Sequence, residues 1–252
     1  MEWTKRIKKR TCQFLLATVF LLSSPSSVFS EIGFRSDLTL VSRYIWRGFD
    51  TISNNRPAIQ PSLTFDFSKC GVWLNLWSAI ALVDTDFVEL DLIAGYDKIF
   101  SDKITFSGGM GYFTFPSLPH WPDKSSTTPE VYMGVTLSSF PLSPNFTFYY
   151  DFNLGDGFYT TFSLNRNFHI RGKVVCPTFC VGYTTQYQKI GVDPGVSDIC
   201  LGISTDFSFK NINVTPCLNY VIVPNHSINK EDEIWAGLCI GWSMNRSTDE
   251  AD

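Results

Sequence analysis

The sequence lacks helix-forming periodicity. No segment repeats its apolar residues every three to four positions, so a helical bundle and an α/β layer are excluded. Charge is also sparse, with Asp, Glu, Lys and Arg at 17% against a typical ~25%. Histidine is limited to His120, His169 and His226, all in segments that read as connections. No G-x-S-x-G occurs and no Ser/His pair falls on an outward strand face, so no catalytic residue is expected and a hydrolase reading has no support. No C-x-x-C spacing stands behind the seven cysteines, so neither a metal site nor a cofactor is expected. Long apolar runs are missing too. The run at 14–22 is about half of the ~20 residues a membrane helix needs.

What is present begins with an export signal. Lys5, Arg6, Lys8, Lys9 and Arg10 precede that short apolar run, and small residues at 23–30 suit cleavage before Glu31. Residues 1–30 are therefore expected to be a signal peptide, 31–246 the folded domain, and 247–252 a disordered acidic tail. Without 1–30, which hold five basic and one acidic residue of the 20 Lys+Arg and 24 Asp+Glu, the chain keeps 15 basic against 23 acidic residues, a charge of −8. That balance argues against nucleic acid as a partner. Aromatic residues, by contrast, reach 15%, with 22 Phe. High aromatic and low charged content together imply a second, apolar solvent.

Twelve segments alternate apolar and polar residues with period two, near 36–47, 57–67, 71–82, 87–97, 103–115, 129–139, 144–153, 157–167, 172–183, 196–207, 211–222 and 232–244. Most run longer than the ~5–6 residues usual in globular sheets and match the ~9–11 of a tilted membrane strand. One face is apolar nearly throughout: Leu38, Leu40, Tyr44 and Trp46; Ile59, Leu63, Phe65 and Phe67; Ile234, Ala236, Leu238, Ile240 and Trp242. The other face is small and hydrophilic, which suits a wet lumen. Connections alternate as well. Of the odd-numbered links, 48–56, 116–128, 184–195 and 223–231 are long and 83–86 and 154–156 short, whereas every even-numbered link, 68–70, 98–102, 140–143, 168–171 and 208–210, is short. The reading is an all-β transmembrane antiparallel barrel of about twelve strands, with long loops outside and short turns in the periplasm. A secreted β-sandwich would also alternate, but it predicts shorter strands and no alternation of loop length.

On that reading Arg43, Arg47, Gln60, Glu89, Asp91, Glu130 and Asp151 face the lumen, because a charge facing lipid costs ~2–4 kcal/mol. They form either a charged constriction or ion pairs that hold a narrow barrel shut. Trp73 and Trp77 are expected to fill the lumen beside them, the alternative being that they stack on a ligand. Cys176, Cys180, Cys200, Cys217 and Cys239 share the polar face of the last four strands. Paired residues of a hairpin have a constant sum of numbers, so Cys180, Cys200, Cys217 and Cys239 can form one lateral row. Cross-strand disulfides Cys180–Cys200 and Cys217–Cys239 are expected, with Cys70 and Cys176 free.

The run Ser42-Arg43-Tyr44-Ile45-Trp46-Arg47-Gly48, then Pro57-Ala58-Ile59-Gln60, resembles the first hairpin of the TorF-like porin family of Gram-negative outer-membrane proteins. The likeness continues through Gly71-Val72-Trp73, Glu89-Leu90-Asp91-Leu92-Ile93-Ala94-Gly95-Tyr96, Tyr112-Phe113-Thr114-Phe115-Pro116 and Glu130-Val131-Tyr132. It covers about 36–135. The family more often has Phe where Trp46 stands, and barrels of this class commonly end on an aromatic residue, whereas Trp242 is followed by ten residues. The resemblance implies the cell outer membrane, with lipid, the barrel-assembly machinery and small polar solutes as partners. Passive, modestly cation-preferring passage is the expected function. The alternative is a closed structural barrel whose outer loops bind a partner.

Overall fold

Each alternating segment forms a strand, because β-branched and aromatic side chains pack well on a pleat with one apolar face. The computed structural model describes residues 32–244 apart from 53, 68–69, 84–86, 102, 118–125 and 187–190. The expected signal peptide and acidic tail lie outside the described residues. The strands are β1 (Gly33–Val41), β2 (Ile45–Trp46), β3 (Phe49–Asp50), β4 (Ala58–Phe67), β5 (Val72–Ala81), β6 (Val88–Ser101), β7 (Ile104–Thr114), β8 (Thr127–Thr136), β9 (Asn145–Asp151), β10 (Gly157–Asn165), β11 (Phe168–Ile170), β12 (Lys173–Thr185), β13 (Gly195–Phe209), β14 (Ile212–Ile222) and β15 (Glu233–Met244). β10 and β11 both pair with β12 and form one interrupted wall strand. Every wall strand pairs antiparallel with its neighbours in sequence, and β1 pairs with β15, so twelve strands close into an up-and-down barrel. Closure removes both sheet edges, the condition for a sheet to span lipid.

The two faces differ in solvent. Outward, Leu76 is 47% exposed, Leu92 50% and Ile203 50%, part of a continuous apolar band. Inward, Glu89 is 4% and Asp91 6% exposed. Exposed apolar surface of that extent is untenable in water; it requires hydrocarbon outside. Aromatic rings bracket the band. Phe34 packs edge-on against Phe65 and Trp242 at the short-turn end, where Phe100 also meets Phe106. Tyr150, Phe152, Phe158 and Tyr183 cluster at the long-loop end. Two such girdles mark the membrane interfaces of a transmembrane barrel.

The strand ends that flank 42–57, 82–87, 115–126, 152–156, 186–194 and 223–232 lie at one end, and those that flank 68–71, 102–103, 137–144, 171–172 and 210–211 at the other. The 137–144 connection is longer than the expected 140–143, because β8 stops at Thr136.

Two expectations are corrected. β1 ends at Val41 instead of running on to 47, so Tyr44 and Trp46 do not share the lipid face with Leu38 and Leu40. The chain leaves the wall at Ser42 and forms a separate hairpin, β2–β3, paired through Ile45–Asp50 and Trp46–Phe49. Its tip has φ of 51° at Arg47 and 88° at Gly48, the two positive values of a type I′ turn, which glycine accommodates best. The cysteine row is also broken. Cys180 faces Cys200 as expected, but Cys200 faces Val221, Cys217 faces Gly237 and Cys239 faces Thr215. The 208–210 turn centres two residues later than assumed, at 210–211, and the last hairpin is offset by two. A Cys217–Cys239 bridge is therefore out of register, and the six cysteines among the described residues are free thiols in this structure.

Candidate lumen site

The β2–β3 hairpin lies inside the barrel, and its large apolar side chains have a wall to pack on. Tyr44 joins Val41, Ala58, Ala79 and Ala81, small residues that leave room for it, with Trp46, Trp77 and Phe87 alongside. Its ring lies 5.6 Å from that of Trp77. From the other side of the hairpin, Ile45 and Phe49 pack on Val192, Val221, Val223 and Ile228. The hairpin thus ties two parts of the wall together through the lumen.

Arg47 at its tip is the centre of the site. Its guanidinium lies over Tyr149 at 3.8 Å and over Tyr159 and Trp46 at 4.5 Å. It donates to Glu130 Oε2 at 3.2 Å, with side-chain exposures of 8% and 3%. A desolvated cation between ring faces is held by their quadrupoles as well as by the carboxylate. Gly48 beside it fits close against β13: a Cβ there would come within 3.0 Å of the Ser197 carbonyl and 3.5 Å of the Asp198 side chain. At the base of the hairpin, Arg43 donates to Glu233 Oε2 at 2.6 Å, and Asn229 donates to Oε1 of the same carboxylate.

Arg43, Arg47, Glu89, Asp91 and Glu130 all reach the lumen side, Arg47 by way of the hairpin and not the wall. Gln60, opposite Thr39, shares the inward face with buried Ala58. Asp151 is on that face but serves the 152–156 turn. It takes the Thr128 hydroxyl and the amides of Asn153 at 2.9 Å, Leu154 at 3.2 Å and Gly155 at 2.9 Å. Trp73 and Trp77 are lumenal, and Trp73 Nε1 donates to Asp97 at 3.0 Å. Among the groups the sequence reasoning passed over, Asp198 accepts from Ser197 Oγ at 2.6 Å and from Tyr159. Tyr149, Tyr159, Asp198 and Glu233 have the same parity along their strands as Asp151, Thr161, Cys200 and Cys239, so alternation could have found them. Asp50 could not be found that way.

The lumen is strongly acidic. Glu89, Asp91, Glu130, Asp151, Asp198 and Glu233 are buried carboxylates, against Arg43 and Arg47. Glu89 Oε2 and Asp91 Oδ1 are buried without a hydrogen-bond partner. In the hairpin, burial pushes the Asp50 carboxyl above its ordinary range. Two cavities share Tyr44 and Trp46 as their common wall. One, of about 440 Å³, reaches Asp50, Glu89 and Phe115 towards the long loops; the other, of about 270 Å³, reaches Trp73, Asp91 and Tyr132 below. Tyr44 and Trp46 thus stand between the two cavities, with Arg47 lining the second. Among the described residues no three His, Cys, Asp or Glu are grouped to hold a metal ion, and His169 and His226 are exposed.

The fold has solved counterparts. The KdgM porin is 13% identical, with a TM-score of 0.57 over 84% of this chain and 99% of that one. The NanC porin is 10% identical, with a TM-score of 0.54 over 83% of this chain and all of that one. At such identities the likeness is one of fold, a porin-like outer-membrane barrel. No curated protein matches the sequence. A family model matches residues 25–221, and the chain belongs to that family, Gcw_chp, described as bacterial protein of unknown function.

Proposed function

We propose that the barrel passes small polar solutes across the outer membrane with a modest preference for cations, through a lumen constricted by the β2–β3 hairpin. The observation that carries this is the lumen's charge: six buried carboxylates against two guanidiniums, both already paired. A lumen in which carboxylates outnumber guanidiniums favours cations over anions. One structural neighbour is described as KdgM porin in complex with disordered oligogalacturonate, a polyanion. The acidic lumen here would repel such a ligand, so a shared barrel does not carry over a shared solute.

The apolar band and its girdles support lipid as the surrounding partner, which in turn requires the barrel-assembly machinery for insertion. The long-loop end faces the cell exterior on this reading. The kinship to TorF-like porins suggested by the first hairpin motif is part of the same proposal, as is the absence of catalysis. A second reading, a closed barrel that acts through its loops, is favoured by one observation: the hairpin's side chains meet both parts of the wall.

Planar-bilayer recording of the refolded protein across a salt gradient decides between them. The expected reversal potential has the cation-selective sign and grows at low salt, where screening is weaker. Anion selectivity would refute the proposal. No current, even after deletion of 44–50, would establish the closed barrel.

A further inference from the structure

Three of the buried acceptor atoms that find no protein donor belong to one cavity. The space of about 440 Å³ at the long-loop end is lined by Asp50, Thr51 and Glu89, and Asp50 Oδ1, Thr51 Oγ1 and Glu89 Oε2 are each buried without a hydrogen-bond partner. Glu89 is only 4% exposed and is fixed in β6, so it cannot swing out to bulk water. The Tyr44 hydroxyl bonds the Glu89 carboxylate but leaves Oε2 without a partner, and neither lumen arginine answers it, because Arg43 is engaged by Glu233 and Arg47 by Glu130. Buried acceptors without donors are rare in native structures, and each calls for a partner.

The rest of the wall says what kind of partner. Tyr44, Trp46 and Phe115 contribute aromatic rings to the same cavity. Ring faces attract cations and pack against methylenes. An anion brings further acceptors to a wall that already has them in excess, and an apolar solute brings no donor. A tetraalkylammonium suits the rings but has no N–H for three acceptors. A bare inorganic cation suits the acceptors and leaves the rings without a partner. A primary ammonium on an alkyl chain satisfies both, since it carries three donors and no acceptor. The volume also lies within the ~300–1,000 Å³ range of small-ligand sites.

We infer that this cavity binds a primary alkylammonium solute, a monoamine or diamine, with ammonium groups taken by the Glu89 side and by the Asp50–Thr51 side of the cavity and its methylenes on the aromatic wall. The inference rests on the reading that solutes enter the lumen from the long-loop end.

Isothermal titration calorimetry on the refolded full-length protein in detergent, at constant ionic strength, tests it with n-butylammonium and 1,4-diaminobutane as probes. Tetramethylammonium and sodium serve as comparisons. Saturable binding of the primary amines is expected, weakened at least tenfold by Glu89→Gln and by Asp50→Asn in protein that keeps its heat-modifiable gel migration. Asp50 is in the hairpin and not in the barrel wall, so its variant retains the barrel even if Glu89→Gln does not. No saturable heat from either amine overturns the inference, as does equal affinity for tetramethylammonium or indifference to both substitutions. Amine binding by a barrel that carries no current upholds the site and sinks the pore. A cation-selective current without amine binding does the reverse.

Discussion

Replacing Arg47 with Ala should open the lumen without unfolding the barrel. The hairpin contributes no ladder hydrogen bonds to the wall, because β2 and β3 pair only with each other. Its tip is held mainly by one guanidinium. The Arg47–Glu130 pair, at 3.2 Å with both side chains under a tenth exposed, is of the buried kind whose disruption costs about 3–5 kcal/mol. The two wall rings, Tyr149 and Tyr159, hold the same group; each desolvated contact is worth up to about 2 kcal/mol. These contributions share one side chain and do not add. Taking the lower bound of about 3 kcal/mol, the equilibrium for release of the tip shifts by about a hundredfold, at 1.4 kcal/mol per factor of ten. Arg43–Glu233 and the packing of Tyr44 and Phe49 still tether the base, so the released hairpin moves within the mouth. Single-channel recording should then show an open probability higher by up to that factor, or a larger unitary conductance if the open state already dominates. Arg47→Lys keeps the charge but loses the flat stacking surface, and its effect should fall between. Thermal loss of heat-modifiable migration should be little changed in both. If Arg47→Ala leaves open probability and conductance as they were, the tip does not close the lumen.

Mild oxidation with copper–phenanthroline should yield, by peptide mass mapping, a Cys180–Cys200 link and none joining Cys217 to Cys239, since only the first pair sits in register. A Cys217–Cys239 peptide would refute the observed register of the last hairpin. Asp151→Asn should lower the temperature at which the folded gel band is lost, because a buried carboxylate that accepts from three turn amides becomes a weaker acceptor. A cost of about 1–3 kcal/mol is expected, and an unchanged transition would mean that the turn is held by other contacts. On intact cells, single cysteines placed at Asp193 or Glu231 in an otherwise cysteine-free chain should react with a membrane-impermeant maleimide, and one at Gly172 should not. The opposite pattern would invert the barrel.

Much of the fold was legible in the sequence because a barrel wall is written locally. Alternation with period two tells the lipid face from the lumen face at each step. Leu90 and Leu92 therefore stand opposite Glu89 and Asp91 in the structure as they do in the sequence. Turn lengths then order the strands, and the Cys180–Cys200 register followed from a single turn midpoint. Where a midpoint was misjudged by two residues, as at 210–211, the predicted row of cysteines failed, because hairpin register depends on which residues form the turn.

The functional centre was legible only in part. Arg47 and Glu130 were both expected in the lumen, but nothing local states that they meet, since 83 residues separate them. Alternation from Leu38 to Trp46 falters at Val41-Ser42 and again at Ile45, but so short an irregularity does not by itself say that the chain leaves the wall at Ser42 and turns inward. That departure is decided by the closed barrel itself. Small residues at Ala58, Ala79 and Ala81 leave room inside, rings at Tyr149 and Tyr159 offer a seat for a cation, and a lumen of this size is filled by whichever segment can satisfy both. The sequence by itself determined a twelve-stranded wall with an apolar outside and an acidic inside. Only the tertiary structure decided that the first connection folds inward, because the contacts that hold it there come from strands distant in the chain and converge only once the barrel has closed.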